Sequence, residues 1–193
     1  MRRIVVGVSG ASGAPYAERL LNFFAANREG LDVHLVFTKT GLLVWKDEVG
    51  VDPHSYGLPI HGPLDLTAEP ASGSARFDAM VVIPCSAGQM SRIAHGVSQD
   101  LVGRAADVML KERKPLVLVV RESPLSLVHL KNLVAVTEAG ATVMPASPSF
   151  YSHPKDLGAL LDTVTARVLD HLGVDNALMR RWQGKLMGPG ALP

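Results

Sequence analysis

VVGVSGASGAPYAERLL, residues 5–21, decides the fold. An apolar run stops at a turn of glycine and serine. Pro15 then opens a segment with Tyr16, Leu20, Phe23 and Phe24 on one side. Proline suits the first turn of a helix, where its missing N–H would have had no partner. The stretch reads as buried strand, tight turn and helix. Such a turn presents backbone N–H groups and serine hydroxyls to an anion, phosphate above all. It also serves as a strand-to-helix turn with no ligand, so the loop alone leaves both readings open.

The loop runs Gly7-Val-Ser-Gly10-Ala-Ser-Gly13, a GxxGxxG pattern. Dinucleotide folds use GxGxxG, with an acidic residue about 20 positions on to hold a ribose diol. Here the second apolar run ends in Thr38-Lys39-Thr40, without a carboxylate. The pattern suits a mononucleotide or another phosphate ester.

Outward from this stretch, apolar β-branched runs alternate with amphipathic segments. Strands are predicted at 3–8, 32–38, 79–85, 115–122 and 141–146. Helices are predicted at 15–26, 41–48, 87–95, 100–113, 125–138 and 156–172. Residues 49–76, rich in Pro, Gly, Ser and His, read mostly as loop. Continuous apolar strands alternating with helices require a parallel sheet covered on both faces. With right-handed crossovers this is an α/β fold, a three-layer Rossmann-like doubly wound sandwich with a mostly parallel central sheet. One domain over residues 1–193 is expected, with a C-terminal tail from about 174. Ligands of such sheets sit outside the carboxyl ends of the strands. The rule selects Gly7–Gly13, Thr38–Lys39, Cys85–Met90, Arg121–Glu122 and Ala146–Tyr151 as stretches that converge.

Composition narrows the function. A formal net charge of +1 makes no broad basic field, which argues against nucleic acid as a partner. Charged residues are only 19% of the chain and mean hydropathy is +0.19, which leaves apolar surface for subunit interfaces. The one cysteine, Cys85, allows no internal disulfide and fits a cytoplasmic location. Runs such as PLVLVV (115–120) are too short to cross a bilayer, so no membrane association is expected.

Several groups carry candidate chemistry. Ile83-Pro-Cys-Ser-Ala-Gly-Gln89 is a second turn at a strand end, where Ser86 and Gln89 offer hydroxyl, amide and backbone donors. Cys85 has no activating base nearby in sequence and reads as packing. Arg104 and Lys111, seven residues apart, share a helix face, as a second anion site or a solvated basic stripe. Arg121-Glu122 closes a core strand, either as a solvated loop or as a clamp and proton carrier. Arg167 borders the apolar stripe of the last helix, to reach water or to share an anion with Tyr151. The histidines show no metal spacing, so no metal is expected.

The motifs gain force in their order. SGASG (9–13), TK (38–39), ASGS (71–74), PCSAG (84–88), RAADVMLKERKPLVLVVRESPL (104–125), PSFYSHP (148–154) and RWQG (181–184) occur in one chain. Together they resemble the UbiX-like flavin prenyltransferases, once labelled aromatic-acid decarboxylases. The resemblance implies reduced FMN and dimethylallyl monophosphate as ligands, joined at flavin N5 and C6. The product, prenylated FMN, would serve a UbiD-like decarboxylase. By the matching motifs, Gly10, Ala11, Ser12, Thr38, Ser86, Ala87, Gly88, Gln89 and Arg121 would contact FMN. Lys111, Tyr151 and Arg167, with Arg104, would hold the prenyl phosphate. Ser12, Glu48 and Glu122 would lie at the reacting flavin edge as catalytic residues. The resemblance also implies a large homo-oligomer, a dodecamer, with sites completed by neighbouring subunits. Two other flavin readings compete: an FMN-dependent decarboxylase of cysteine derivatives, and an FMN carrier with no phosphate site for a prenyl donor.

Overall fold

The computed structural model describes residues 1–182 and Gly184; Gln183 of the RWQG motif and residues 185–193 lie outside the described residues. In chain order the elements are β1 (Arg2–Val8), α1 (Ala14–Ala26), β2 (Leu31–Phe37), α2 (Lys39–Glu48), β3 (Ile60–His61), β4 (Ala79–Cys85), α3 (Ala87–Ala94), α4 (Leu101–Lys111), β5 (Leu116–Val120), α5 (Leu127–Glu138), β6 (Thr142–Pro145) and α6 (Leu157–His171). The sheet order is β3-β2-β1-β4-β5-β6, and every neighbouring pair is parallel. That is the doubly wound order; without the two-residue β3, the remaining five strands follow the flavodoxin order.

Side chains alternate across the sheet, so each strand feeds two cores. Along β1, Ile4, Val6 and Val8 enter the core with α1 and α6, and Val5 enters the core with α3 and α4. From α1, Leu20, Leu21 and Phe24 are fully buried, each worth about 1.5–3 kcal/mol of burial. Five helices begin with a side-chain cap: Thr38, Ser86, Asp100, Ser126 and Asp156 each accept a backbone N–H of the first turn. The exception is α1, which starts at Gly13 in the left-handed region, φ 114°, without a cap of its own.

The expected loop 49–76 is more structured than its composition suggests. It contains β3 and three single turns of 3-10 helix, Pro53–Tyr56, Glu69–Ala71 and Gly73–Ala75. A two-residue strand is too short to show a periodicity. Its place is set by its neighbours: Leu35 N–H donates to Pro59 O at 2.8 Å, and His34 Nδ1 lies 2.8 Å from His61 Nε2. No helix among the described residues is long and apolar enough to cross a membrane.

Candidate active site

The loops at the carboxyl edge are laced together. Thr38 N–H donates to Val8 O at 2.9 Å, Arg121 N–H to Cys85 O at 3.0 Å and Ala146 N–H to Val120 O at 2.8 Å. Ser9 bridges β1 and β4: its hydroxyl donates to Pro84 O at 2.9 Å and accepts from Ser86 N–H at 2.8 Å. The Tyr16 hydroxyl reaches Ala146 O at 3.3 Å. The expected convergence of strand ends is therefore present, and it centres on the switch point between β1 and β4. Ser9 and Tyr16 were not among the expected site residues. Ser9 was recognisable only as one more serine of the glycine loop.

The glycines have local reasons. A Cβ on Gly10 would meet Thr40 Oγ1 at 2.4 Å, and Gly13 adopts a conformation that side chains disfavour. The loop can thus lie flat against the start of α2. That helix does not return along the sheet. It crosses the carboxyl edge, so that its last residue, Glu48, meets the first turn of α1. Glu48 Oε2 accepts from Gly13 N–H at 2.7 Å and from Ala14 N–H at 2.8 Å. The Ser12 hydroxyl is hydrogen-bonded to the same carboxylate.

This corrects the reading of the loop as a phosphate cradle at the helix end. The anion on the α1 N-terminus is a carboxylate of the chain itself. Burial would raise the Glu48 pKa, but the Ser12 hydroxyl, the two N–H groups and the nearby positive Arg121 outweigh it and hold it below the ordinary value. Glu48 is therefore an ionised acceptor that orients Ser12. The Arg121 stem lies beside Gly13, where an added Cβ would be 3.8 Å from its Cγ. Ser12, Arg121 and Glu122 are exposed at this edge, and the Glu122 carboxylate accepts from its neighbour Ser123 N–H at 3.1 Å.

The second turn differs from expectation at Gln89. Its side chain is fully buried: the amide lies 3.4 Å from Asp100 Oδ1 and the carbonyl accepts from Arg92. It props the turn from inside, so its side-chain amide is taken up by the protein itself. Its N–H is held by the Ser86 hydroxyl at 3.2 Å. The first-turn N–H groups of Ala87 and Gly88 are the donors that α3 offers outward, and Gly88 is exposed. The Thr38 hydroxyl caps α2 through Gly41 N–H at 2.9 Å. Cys85 is fully buried, and burial pushes its thiol up to about 12, which leaves it packing and not nucleophilic.

The four residues expected to hold a prenyl phosphate have separate surroundings on the chain. Arg104 binds Asp107 at 2.7 Å and Ala71 O at 3.1 Å, on the flank of α4. Lys111 ends α4 at the opposite, amino edge of the sheet, paired with Glu112. There it lines a cavity of about 870 Å³ with Arg113, Lys114 and His171. Tyr151 stands edge-on to Trp182, ring centroids 5.8 Å apart. Arg167 pairs at 2.6 Å with Asp170, which also holds Arg181. One chain does not bring these four together.

The flavoprotein family model matches residues 1–169. A flavin prenyltransferase UbiX of Deinococcus radiodurans is 50% identical over 186 residues, covering 94% of this chain and 93% of the relative. The chain belongs to the UbiX flavin prenyltransferases. Among solved structures, AnUbiX (PadA1) in complex with FMN and dimethylallyl pyrophosphate aligns with a TM-score of 0.90 at 40% identity, over 95% of this chain and 98% of that one. The dodecameric FMN-dependent UbiX-like decarboxylase of Escherichia coli O157:H7 aligns equally well, TM-score 0.90 and 40% identity, over 94% and 100%.

As a flavin prenyltransferase the chain is a transferase, and its edge fits a flavin. Gly88 puts no side chain in the way, the α3 N-terminus offers the N–H groups of Ala87 and Gly88, and Arg121 adds a positive charge. Among the described residues no group of three or more His, Cys, Asp or Glu could hold a metal ion.

Proposed function

We propose that this enzyme joins the dimethylallyl group of dimethylallyl monophosphate to N5 and C6 of reduced FMN, acting in the cytoplasm as a homo-oligomer of one flavin-binding domain per chain. The prenylated FMN would be passed to a UbiD-like decarboxylase. The observation that carries this reading is the Ser12–Glu48–Arg121 group at the switch point of a chain with this family membership.

When bound, FMN supplies a nucleophilic ring edge and a π face that favours an allylic cation. The chain supplies the rest. Glu48 holds the single O–H of Ser12 as a donor to its carboxylate, which leaves the exposed Ser12 oxygen as an acceptor at the reacting edge. With Glu48 bound to the α1 N–H groups, the N–H groups of Ala87 and Gly88 would be the ones to hold the flavin phosphate. Breaking the allylic C–O bond sends its electron pair to the departing phosphate. Lys111, Tyr151, Arg167 and Arg104 take up that charge, the work a metal often does. Because they lie apart on one chain, copies of the chain must assemble them. Glu122 accepts the proton released as the new bonds form.

The test is anaerobic incubation of the protein with reduced FMN and dimethylallyl monophosphate, without metal, followed by the mass of the released flavin. A gain of one five-carbon unit is expected. Bound, unmodified FMN with the monophosphate and also with the pyrophosphate would overturn the reading in favour of a carrier or a decarboxylase of cysteine derivatives.

A further inference from the structure

Asp170, in the last turn of α6, receives two guanidinium groups. Its Oδ2 accepts from Arg167 Nη1 at 2.6 Å and from Arg181 Nη1 at 2.5 Å. Its Oδ1 accepts from Arg181 Nη2 at 2.7 Å and from Asn176 Nδ2 at 3.1 Å. Arg181 therefore grips both carboxylate oxygens, while Arg167 touches one of them through a single N–H. The balance of charge follows the geometry. The Asp170 carboxyl is held below the ordinary aspartate value first by the Arg181 hydrogen bonds, with burial opposing them, and least by the Arg167 charge.

We propose that Arg181 is a positioning residue for the phosphate of the prenyl donor: it occupies Asp170, so that Asp170 orients Arg167 without cancelling its charge. The inference rests on the transferase reading above, in which Arg167 holds that phosphate. A carboxylate three residues further along a helix is a natural partner for an arginine. A bidentate Arg167–Asp170 pair would have no net charge to offer an anion. With Arg181 present, two guanidinium groups share one carboxylate, and one positive charge is left over. Among the described residues, Arg167 commits one guanidinium N–H, to Asp170, and the side chain is half-exposed. A guanidinium has five such donors, so the others remain for a phosphate.

The neighbours of Arg181 point the same way. Trp182 follows it and stands edge-on to Tyr151, with ring centroids 5.8 Å apart. Arg181 itself is close enough to Tyr151 for the two to interact electrostatically. One stretch of chain, the start of the RWQG motif, thus meets Tyr151 on one side and the partner of Arg167 on the other. Asn176 braces the arrangement: it gives an N–H to Asp170, and its backbone O accepts from Arg181 Nη2 at 3.3 Å. Arginine suits this place, because its planar fork spans two carboxylate oxygens and it stays charged at any pH the enzyme meets.

The experiment measures, by calorimetry, binding of dimethylallyl monophosphate to the full chain loaded with oxidised FMN, so that no prenyl transfer takes place. Arg181→Gln leaves Asp170 to Arg167 alone. It is expected to weaken binding about tenfold, with FMN affinity unchanged. Arg181→Lys keeps a charge beside Asp170 and is expected to stay within about threefold of the parent. Arg181→Gln combined with Asp170→Asn removes the carboxylate as well and leaves Arg167 its charge. Its affinity is expected to recover to within about threefold of the parent. A merely structural tie would make the double variant no better than Arg181→Gln. That result, or parent-like binding by Arg181→Gln, would overturn the proposal. Flavin mass after anaerobic turnover of the parent is read separately. A parent that shows this pattern of affinities yet forms no prenylated flavin would sink the transferase reading and leave the role of Arg181 standing.

Discussion

Gly13 donates its backbone N–H to the Glu48 carboxylate at 2.7 Å. The two residues are 35 positions apart, and their meeting fills the place where a glycine loop at a helix N-terminus would otherwise receive a phosphate. The loop serves as a holder for an internal carboxylate. That carboxylate in turn holds Ser12, so fold stability and site geometry depend on one side chain.

Glu48→Ala is expected to lower the free energy of unfolding by about 1–2 kcal/mol at neutral pH, as loss of a helix N-terminal partner does. A carboxyl whose pKa is held down by the fold stabilises it fully above its unfolded value and loses that contribution as pH falls through the folded one. Urea denaturation of parent and variant should therefore differ at pH 7 and converge in acid, below the ordinary glutamate range. A difference that persists unchanged there would mean that Glu48 acts through packing and not through its charge.

Glu122→Gln should keep flavin binding and slow formation of the prenylated flavin, by a factor on the order of 10² if proton acceptance is its task. Among the described residues the exposed side chain binds its neighbour Ser123 alone, so stability should change by less than about 0.5 kcal/mol. Single-turnover conversion followed by flavin mass decides the matter. An unchanged rate would remove Glu122 from the chemistry.

The strand–turn–helix reading of residues 5–21 was legible because glycine permits the close approach at Gly10 and the left-handed backbone at Gly13, and because apolar runs have a period. The partner of that turn was not. Glu48 is distant in sequence, and nothing local says that α2 crosses the sheet edge. Gln89 illustrates another limit: its type suggests a ligand donor, but Asp100 and Arg92 satisfy it inside the protein. Helical spacing correctly puts Arg104 and Lys111 on one helix, yet it says nothing about which end of that helix meets the site. β3 escaped because two residues carry no pattern.

Arg167→Ala should raise the KM for dimethylallyl monophosphate and leave flavin affinity unaltered. Its ion pair with Asp170 is exposed, and Asp170 keeps Arg181, so the fold should lose less than about 0.5 kcal/mol. Initial rates across donor concentrations give the answer. No change in KM would reduce Arg167 to a surface residue of α6.

Cys85 should not react with iodoacetamide in the native state, since its thiol is fully buried and its pKa is pushed up to about 12. One equivalent should react after unfolding, counted by intact mass. Rapid native alkylation would show that β4 opens near the crevice.

His61 ties the edge strand to the rest of the sheet, and it should make stability depend on pH. Its Nε2 lies 2.8 Å from His34 Nδ1, and His34 Nε2 lies 3.1 Å from Asp32 Oδ1. Asp32 binds Arg3 at 2.8 Å, and the Arg3 guanidinium covers the Phe77 ring at 4.3 Å. Burial would raise the Asp32 pKa, but the Arg3 bond and His34 hold it below the ordinary value, so it stays an acceptor for His34 Nε2–H. With its Nε2–H given to Asp32, His34 has Nδ1 left to accept from His61 Nε2–H, and each donor of the chain has a partner. With both rings protonated, two N–H groups would face each other across this contact. Burial, and then the neighbouring His34 ring, hold the His61 pKa below 6.5. A histidine held low is one the fold prefers neutral. Its contribution is complete above the ordinary value and is lost as pH falls through the folded one. Urea denaturation of the parent between pH 8 and pH 5 should show this decline, and His61→Asn should lose that part of it. Parallel pH curves for parent and variant would show that the pair carries no titrating strain and that β3 is held by its backbone alone.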